Sequence, residues 1–270
     1  MNYSKNFKDI VINGNFAYLG HGNPNAKILI IGKEPRIDKN DPSKQDQLER
    51  DIYNNRQQWL DNLNDDTISY DTLKDSANAH ENYNPLYPYK GQKCQVRTET
   101  KEKVKGEAGT ARTWVAYQRL FDCIAYGESY RKDRNAPIDF HKYVFSSDFS
   151  SEAATCSHNT DKISTKQSVT DRNEMFRHEF FQDFPIVIIA AGHYPENYKI
   201  DMEDLFKVKW IGPDSKHRFI NVHYNDERTK ILIHTMQLSY FSYDLLEGIA
   251  RIVREFIEKD LKQDIRNFLL

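Results

Sequence analysis

The chain has 270 residues, of which 39% are hydrophobic and 29% are charged, with a formal net charge of −2 and a mean hydropathy of −0.79. This charge argues against a globally basic nucleic-acid-binding protein but leaves room for a local basic surface. Apolar stretches of about six residues fall far short of the roughly 20 that span a membrane, and no signal-peptide core follows Met1. We therefore expect a cytoplasmic protein without membrane contact, and the spacing of Cys94, Cys123 and Cys156 matches no zinc site.

The first part of the chain predicts one strand and a long insertion. Residues 1–26 are expected to form an irregular arm, and the apolar run 27–32 predicts the first strand. The insertion spans about 40–110 and includes a helix around 47–63. Between residues 90 and 112, lysine and arginine outnumber glutamate, which suits contact with phosphates and is equally explained by a solvated loop. The candidate nucleic-acid contacts in this segment are Lys101, Lys103 and Lys105.

The rest of the chain alternates between helices and strands. In chain order it predicts a helix over 113–126, a strand over 143–148, a helix over 171–181, a strand over 185–191, an antiparallel pair at 206–210 and 218–222, a strand over 230–234 and a helix over 245–257. Continuous apolar runs are typical of strands that are buried on both faces of a parallel sheet. The expected fold class is therefore α/β, a three-layer α/β/α sandwich around a central four-stranded parallel sheet, in a single domain over 1–270.

Polar residues at the ends of the four core strands are the main functional signal. The chain has no GxGxxG after a strand, no Walker A loop and no GxSxG elbow, which disfavours dinucleotide enzymes, P-loop NTPases and α/β hydrolases. Ligands of open α/β sheets bind outside the carboxyl ends of the strands. The residues at these ends are, for the first to the fourth strand, Gly32, Lys33, Glu34 and Pro35; Ser146, Ser147 and Asp148; Gly192, His193 and Tyr194; and His234, Thr235 and Gln237.

Glu34 and His234 are the candidate catalytic residues. Gly32 permits a sharp turn and Pro35 stiffens the loop, so that Glu34 is held where a carboxylate can orient water or face a developing cation. His234 ends a buried strand, where ligands bind. Each residue also has a simpler explanation, since Glu34 fits a loop carboxylate beside Lys33, and His234 fits a hydrogen-bonded histidine at a strand terminus.

Two segments resemble the signatures of the uracil-DNA glycosylase superfamily. The sequence Gly32-Lys33-Glu34-Pro35-Arg36 is similar to the first signature, Gly-Gln-Asp-Pro-Tyr. The sequence His234-Thr235-Met236-Gln237-Leu238-Ser239 is similar to the second signature, His-Pro-Ser-Pro-Leu-Ser, and matches it at the His, Leu and Ser. Both segments follow apolar strands and occur in the order of the family, whose four-stranded α/β/α sandwich agrees with the predicted elements.

The resemblance implies a role for each matching residue. Glu34 would position water and stabilise the sugar cation, His234 would donate a hydrogen bond to the departing base, and Leu238 would fill the gap left by a flipped nucleotide. Leu238 fits a packed core residue as well, and His193 fits a strand terminus. The candidate base-binding residues are Gly32, Lys33, Pro35, Ser146, Ser147, Asp148 and His193. The candidate nucleic-acid contacts outside the insertion are Thr235, Gln237, Leu238 and Ser239, while Tyr18, Tyr87 and Tyr89 lie in loops where a base can stack.

The function that this resemblance implies is hydrolysis of the N-glycosidic bond of a damaged or modified base in DNA, without a cofactor or metal. Cleavage builds positive charge on the sugar and negative charge on the base, so that a carboxylate and a donor on opposite sides suit it. Three cysteines exclude the four-cysteine iron–sulfur cluster of some family branches. The family's Asn at the end of the second strand is missing here, which raises the alternative of a catalytically silent nucleic-acid-binding module. The other alternative is a nucleotide or nucleoside hydrolase, which a closed small pocket beside Glu34 would indicate.

Overall fold

The computed structural model of the chain describes residues 1–77, 80–94, 111–127, 136–155, 161–240 and 242–270. Its strands in this part of the chain are β1 (His21–Gly22), β2 (Ile28–Gly32), β3 (Val144–Asp148), β4 (Ile186–Ile189), β5 (Lys209–Pro213), β6 (Asn221–Tyr224) and β7 (Ile231–His234). They form one mixed sheet of seven strands in the order β1-β3-β2-β4-β7-β6-β5. The α/β fold class predicted from the sequence is confirmed.

The four central strands β3, β2, β4 and β7 are parallel to one another and coincide with the four predicted core strands. The prediction of a four-stranded sheet is nevertheless wrong, because antiparallel strands extend both edges. β1 pairs with β3 at one edge, and β6 and β5 continue the sheet beyond β7 at the other. These additions provide partners for backbone groups of β3 and β7 that would otherwise be exposed at an edge. Both hairpin strands begin three residues later than predicted, at 209 instead of 206 and at 221 instead of 218.

Ten α-helices in the described residues surround this sheet. They are α1 (Lys5–Asn13), α2 (Gln45–Leu48), α3 (Asn55–Asn64), α4 (Arg112–Tyr126), α5 (Lys162–Phe176), α6 (Glu179–Gln182), α7 (Tyr194–Tyr198), α8 (Met202–Phe206), α9 (Tyr243–Glu255) and α10 (Ile265–Leu269). The helices predicted over 113–126 and 245–257 are confirmed as α4 and α9. The helix predicted over 171–181 is two helices, and α5 begins earlier because Asp161 caps it by accepting the amide hydrogens of Ile163 and Ser164. No helix among the described residues combines the length and apolar content needed to cross a membrane.

Residues 1–26 are not the irregular arm that the sequence predicted. Ser4 caps α1 by accepting the amide hydrogen of Phe7 at 3.2 Å, and Phe7, Ile10 and Val11 are fully buried. The buried positions follow the three- and four-residue spacing of a helix, but the surrounding residues are so polar that this short stripe was missed. The N-terminal segment is therefore an ordered part of the fold, and it brings Tyr18 towards the carboxyl end of β3.

Apolar side chains cover both faces of the sheet and explain the three layers. On one face Ile28, Ile30, Ile186 and Ile188 pack with residues of α4 and α9, and on the other face Leu29, Ile31, Val187 and Ile189 pack with residues of α1, α5 and α6. Side chains of a strand alternate between the two faces, so that a strand covered on both sides must be apolar throughout.

The connections of the central strands locate a crevice at one edge of the sheet. The chain leaves β2 through α4 to reach β3 on one side, and it later leaves β3 through α5 to reach β4 on the other side of β2. Helices α4 and α5 pack on opposite faces. The carboxyl ends of β2 and β4 therefore form a topological switch point, which is where open α/β sheets bind their ligands.

Candidate active site

A cavity of about 770 Å³ lies at the carboxyl ends of the central strands. The predicted site residues that line it are Gly32, Lys33, Glu34, Pro35, Ser146, Ser147, Asp148, Gln237 and Ser239. Further walls are provided by Tyr18, His21, Trp114 and Tyr117, and by Gln47, Asp51 and Tyr89 from the insertion. Residues from the ends of β2 and β3 and from the loop after β7 thus meet at the switch point, whereas the strand-end residues Gly192, His193, Tyr194, His234 and Thr235 do not line the cavity.

Asp148, at the end of β3, is the most perturbed carboxyl group of this cavity. The Tyr18 hydroxyl donates a hydrogen bond to Asp148 Oδ2 at 2.9 Å. The pKa of Asp148 is raised to about 6, chiefly by burial and also by the nearby Glu34 carboxylate, against the opposing effects of the Tyr18 hydrogen bond and the Arg172 guanidinium. Because this pKa lies near neutral pH, Asp148 can hold and release a proton under ordinary conditions.

Arg172, on α5, fixes the floor beneath Asp148. Its side chain is buried, and its Nε donates to the Asp148 carbonyl oxygen at 2.9 Å. The other guanidinium nitrogens donate to the Tyr18 carbonyl oxygen and to the Ser147 hydroxyl, and the guanidinium carbon lies 4.8 Å from the centroid of the Tyr18 ring. Burial lowers the pKa of Arg172 to about 10, which leaves it charged at neutral pH. One cation therefore ties the N-terminal segment, β3 and α5 together.

The two serines of β3 are engaged in the protein itself. The Ser147 hydroxyl donates to the Leu19 carbonyl oxygen at 2.7 Å and accepts from Arg172, and the Ser146 hydroxyl lies 3.4 Å from the His21 carbonyl oxygen. Sequence alone left Ser146, Ser147 and Asp148 as equal candidates for contact with a ligand. The hydrogen-bond pattern favours Asp148, because Oδ1 makes no hydrogen bond within the described chain.

The absence of a side chain at Gly32 leaves space for the carboxyl group of Asp148. A Cβ atom on Gly32 would lie 2.3 Å from Asp148 Oδ1 and 3.3 Å from the Tyr117 hydroxyl oxygen, both too close for a side chain. The glycine at the end of β2 is thus needed for the close approach of a neighbouring carboxyl group rather than only for a sharp turn.

Glu34 is held on a loop whose backbone is tied to the chain that follows β3. The amide nitrogens of Phe149 and Ser150 donate to the carbonyl oxygens of Gly32 and Lys33 at 3.1 and 2.9 Å. Burial and the neighbouring Glu34 carboxylate raise the pKa of Tyr194, so that its hydroxyl stays protonated beside this carboxylate. Glu34 therefore interacts electrostatically with both Tyr194 and Asp148.

His234 does not line the cavity with Glu34. Its Nε2 lies 2.7 Å from the Gly192 carbonyl oxygen, to which it donates as the Nε2 tautomer. Burial lowers the pKa of His234. The next residue, Thr235, is buried, and its backbone continues the pairing with β4 through Ile189. The role of His234 as a donor to a departing base stays a prediction, and the geometry gives it no contact with the cavity.

The structure does not agree with the expected contact between Leu238 and a nucleic acid. Leu238 is fully buried in the apolar cluster between the sheet, α4 and α9, so it has no surface with which to touch a ligand. Met236, two residues earlier, is 38% exposed. His193 lies outside the cavity with its side chain 88% exposed, near the exposed Glu196. Lys101, Lys103 and Lys105 lie outside the described residues.

The insertion provides one wall of the cavity, and of this wall only Tyr89 was singled out from the sequence. The Tyr89 hydroxyl donates to Asp51 Oδ2 at 2.5 Å, and Arg50 pairs with Asp51 at 2.9 Å. Burial raises the pKa of Asp51. Trp114 and Tyr117, which the sequence placed only within the predicted helix over 113–126, also line the cavity. Their position at the start of α4, nearest the strand ends, is the only signal that could have identified them.

The other cleft and the possible metal ligands give less support for a functional site. A cleft of about 910 Å³ lies at the opposite edge of the sheet, near α8 and the turn between β6 and β7, and it contains none of the predicted site residues. Among the described residues, no group of three or more His, Cys, Asp or Glu side chains is arranged to hold a metal ion.

Comparison with known proteins gives no family assignment. No protein-family model matches the chain, and no curated protein matches it. The likeness to uracil-DNA glycosylases therefore rests on the strand-end residues and on the order of elements, and function must be argued from the cavity.

We expect the substitution Asp148→Asn to stabilise the protein at neutral pH. Because burial raises the pKa of Asp148 from 3.8 to about 6, its favourable contribution is present below pH 3.8 and is lost as the pH rises through 6. The variant should therefore gain roughly 2–3 kcal/mol of unfolding free energy above pH 7 and little below pH 4. Urea unfolding across this range measures the difference, with Asp66→Asn at an exposed site as the control. A gain that does not vary with pH would contradict the assignment.

We expect Leu238→Ala and Met236→Ala to differ strongly in stability. Removing the buried Leu238 side chain leaves a cavity and should cost about 2–5 kcal/mol of unfolding free energy, whereas the partly exposed Met236 should cost about 0.5 kcal/mol or less. Urea unfolding of both variants at one pH measures this. Equal costs would show that Leu238 is not part of the core.

Proposed function

We propose that this protein hydrolyses the N-glycosidic bond of a nucleobase that enters the cavity from a nucleic-acid strand. The observation that carries this proposal is the presence of two carboxyl groups, Glu34 and Asp148, in one aromatic-walled cavity at the switch point of the sheet. Enzymes that cleave glycosidic bonds typically use a pair of carboxyl groups, one as an acid and the other as a base or nucleophile.

The chemistry divides between the two groups. As the bond between the sugar C1′ and the base nitrogen breaks, the sugar becomes positive and the base retains the electron pair. Glu34 faces the positive sugar and takes a proton from the water that adds to C1′, while the neutral form of Asp148 gives its proton to the departing base. Glu34 then releases its proton to solvent and Asp148 takes one up, which restores the starting state.

The walls of the cavity suit a flat base. Trp114 and Tyr117 line it and offer aromatic surface for stacking, which contributes about 1–3 kcal/mol per base in other proteins. Its volume of about 770 Å³ lies within the range of roughly 300–1,000 Å³ that small-molecule sites occupy. A base in a duplex must leave the stack to reach such a site.

The resemblance to uracil-DNA glycosylases supports this proposal in two further ways. The central order β3-β2-β4-β7 agrees with a sheet in which the first strand lies inside and carries the Gly32–Arg36 segment at its end. Met236 is exposed on the loop after β7, next to Gln237 at the cavity, where an apolar side chain can occupy the gap left by a flipped base. We propose Met236 for this role in place of the buried Leu238.

A free nucleoside or nucleotide is the second candidate substrate. Gln47, Asp51 and Tyr89 cover one side of the cavity, and its basic residues are balanced by acidic ones rather than forming a basic groove. The basic residues are Lys33, Arg36 and Lys44, and the acidic ones are Glu34, Asp51 and Asp148.

Base release tests the proposal. Single- and double-stranded oligonucleotides that carry uracil, hypoxanthine or alkylated bases, together with the free nucleosides, are incubated with the protein and the released base is quantified. Glu34→Gln should lower the release rate about 100-fold or more, because it removes the group that accepts the water proton. Glu196→Gln, which changes a side chain that is 84% exposed outside the cavity, should keep the wild-type rate.

His234→Ala is the matched test of the sequence-based assignment and should lower the rate much less than Glu34→Gln. No release from any substrate beyond that of a Glu34→Gln control would rule out N-glycosidic hydrolysis for those bases.

The release rate should also fall as the pH rises above 6. Asp148 acts in its protonated form, and because its pKa is about 6, the fraction available declines about tenfold per pH unit at higher pH. The rate constant at saturating substrate, measured from pH 5 to 9, should show this decline. The Asp148→Asn variant should release the base slowly, and its rate should not decline with pH in this way. A wild-type rate that increases from pH 6 to 8 would assign the proton donor elsewhere.

A further inference from the structure

Three cationic side chains at the rim of the cavity form no salt bridge or side-chain hydrogen bond within the described part of the chain. Lys33 and Arg36 lie in the loop after β2, Lys44 lies at the start of α2, and all three line the cavity without forming an ion pair or hydrogen bond there. Neighbouring basic residues behave differently, since Lys39 pairs with Glu152 at 3.0 Å and Arg50 pairs with Asp51 at 2.9 Å. These three side chains therefore present cationic groups at the rim that are not held in salt bridges, although Asp41 lies near Lys44 and acidic residues also line the cavity.

Lys33 lies on the side of the cavity away from Asp148. A Cβ atom on Gly192, which follows β4, would lie 3.9 Å from Lys33 Nζ and 3.7 Å from the Gln237 amide nitrogen. Asp148 ends β3, and β2 lies between β3 and β4 in the sheet. The ammonium group of Lys33 thus reaches across the end of β4 while the titrating carboxyl group stays at β3.

We propose that Lys33, Arg36 and Lys44 form a phosphate subsite, so that the cavity takes a phosphorylated nucleotide unit rather than a bare base or nucleoside. The inference rests on the proposed function for the base end of the ligand. Phosphate oxygens accept strong, charge-assisted hydrogen bonds from arginine and lysine. The same chemistry is present in the phosphodiester of a strand and in the monophosphate of a free nucleotide.

Equilibrium binding tests this subsite without requiring turnover. The full chain with Glu34→Gln is titrated with uridine and adenosine, with their 5′-monophosphates, and with a short single-stranded oligodeoxynucleotide. Tryptophan fluorescence reports binding, because Trp114 lines the cavity. Each monophosphate should bind at least about tenfold more tightly than its nucleoside, since one charge-assisted contact is sufficient for that factor.

A charge-matched pair of triple variants identifies the residues. The combination Lys33→Gln, Arg36→Gln and Lys44→Gln should remove the preference for the monophosphate and leave nucleoside affinity within about threefold of the parent, because RT ln 3 is small beside a lost phosphate contact. The combination Lys5→Gln, Lys8→Gln and Lys166→Gln removes the same charge from exposed positions outside the cavity and should retain the preference.

Each outcome decides between the alternatives. Equal affinity for nucleoside and monophosphate, a preference that survives in the rim variant, or no binding of any probe would overturn the subsite. Tighter binding of the oligodeoxynucleotide than of the monophosphates identifies a strand as the source of the phosphate, and the reverse order identifies a free nucleotide. A phosphate preference without base release by the wild-type protein would leave the subsite intact and exclude the hydrolysis, whereas base release without a phosphate preference would do the opposite.

Discussion

The buried guanidinium of Arg172 is the interaction on which the cavity depends. It joins the Tyr18 segment, the end of β3 and helix α5 through donated hydrogen bonds, and it forms no ion pair in the described part of the chain. Removing a cation from water is costly, and here carbonyl oxygens, the Ser147 hydroxyl and the face of the Tyr18 ring offset that cost. A shift of any one of these segments would leave this buried charge with fewer partners, so the hydrogen bonds favour a single arrangement of the floor.

The same floor sets the proton affinity of Asp148. Burial alone disfavours the ionised carboxyl group, while the Tyr18 hydrogen bond and the charge of Arg172 favour it. The balance leaves the pKa of Asp148 at about 6, between that of a solvated carboxyl group and that of an uncompensated buried one. The nearby Glu34 carboxylate contributes to this raised pKa of Asp148 by like-charge repulsion. An acid and a base can thus coexist in one cavity without a metal or cofactor being invoked.

Sequence predicted the parts of the fold that depend on local pattern. The four central strands and helices α4 and α9 follow from apolar runs and helical spacing, and Glu34 and Asp148 follow from their position at strand ends. The edge strand β1 and helix α1 were missed because short or polar segments form them, whereas β5 and β6 were predicted as an antiparallel pair but not as an extension of the central sheet. Leu238 was expected at the ligand but is fully buried, since a strand-end motif does not reveal which way a side chain packs, while the role of His234 stays a prediction. Arg172 and Asp51 carry no local signal at all.

The charged groups of this cavity differ in their exposure to solvent, and this difference determines how strongly salt screens them. Arg36 and Lys44 are exposed, and charges in water are screened beyond about 8 Å at physiological ionic strength, so their effect on a ligand depends on salt. Asp148 and Arg172 lie beneath the ligand in a medium of lower dielectric constant, where salt has little access. A phosphate held at the rim would therefore govern how strongly and how quickly a nucleotide binds, whereas the floor governs what happens to the base. The loop after β2 belongs to both parts, because consecutive residues, Lys33 and Glu34, face the phosphate and the sugar, respectively, in this proposal. Its backbone hydrogen bonds to the residues that follow β3 fix the positions of Lys33 and Glu34 relative to each other and to Asp148.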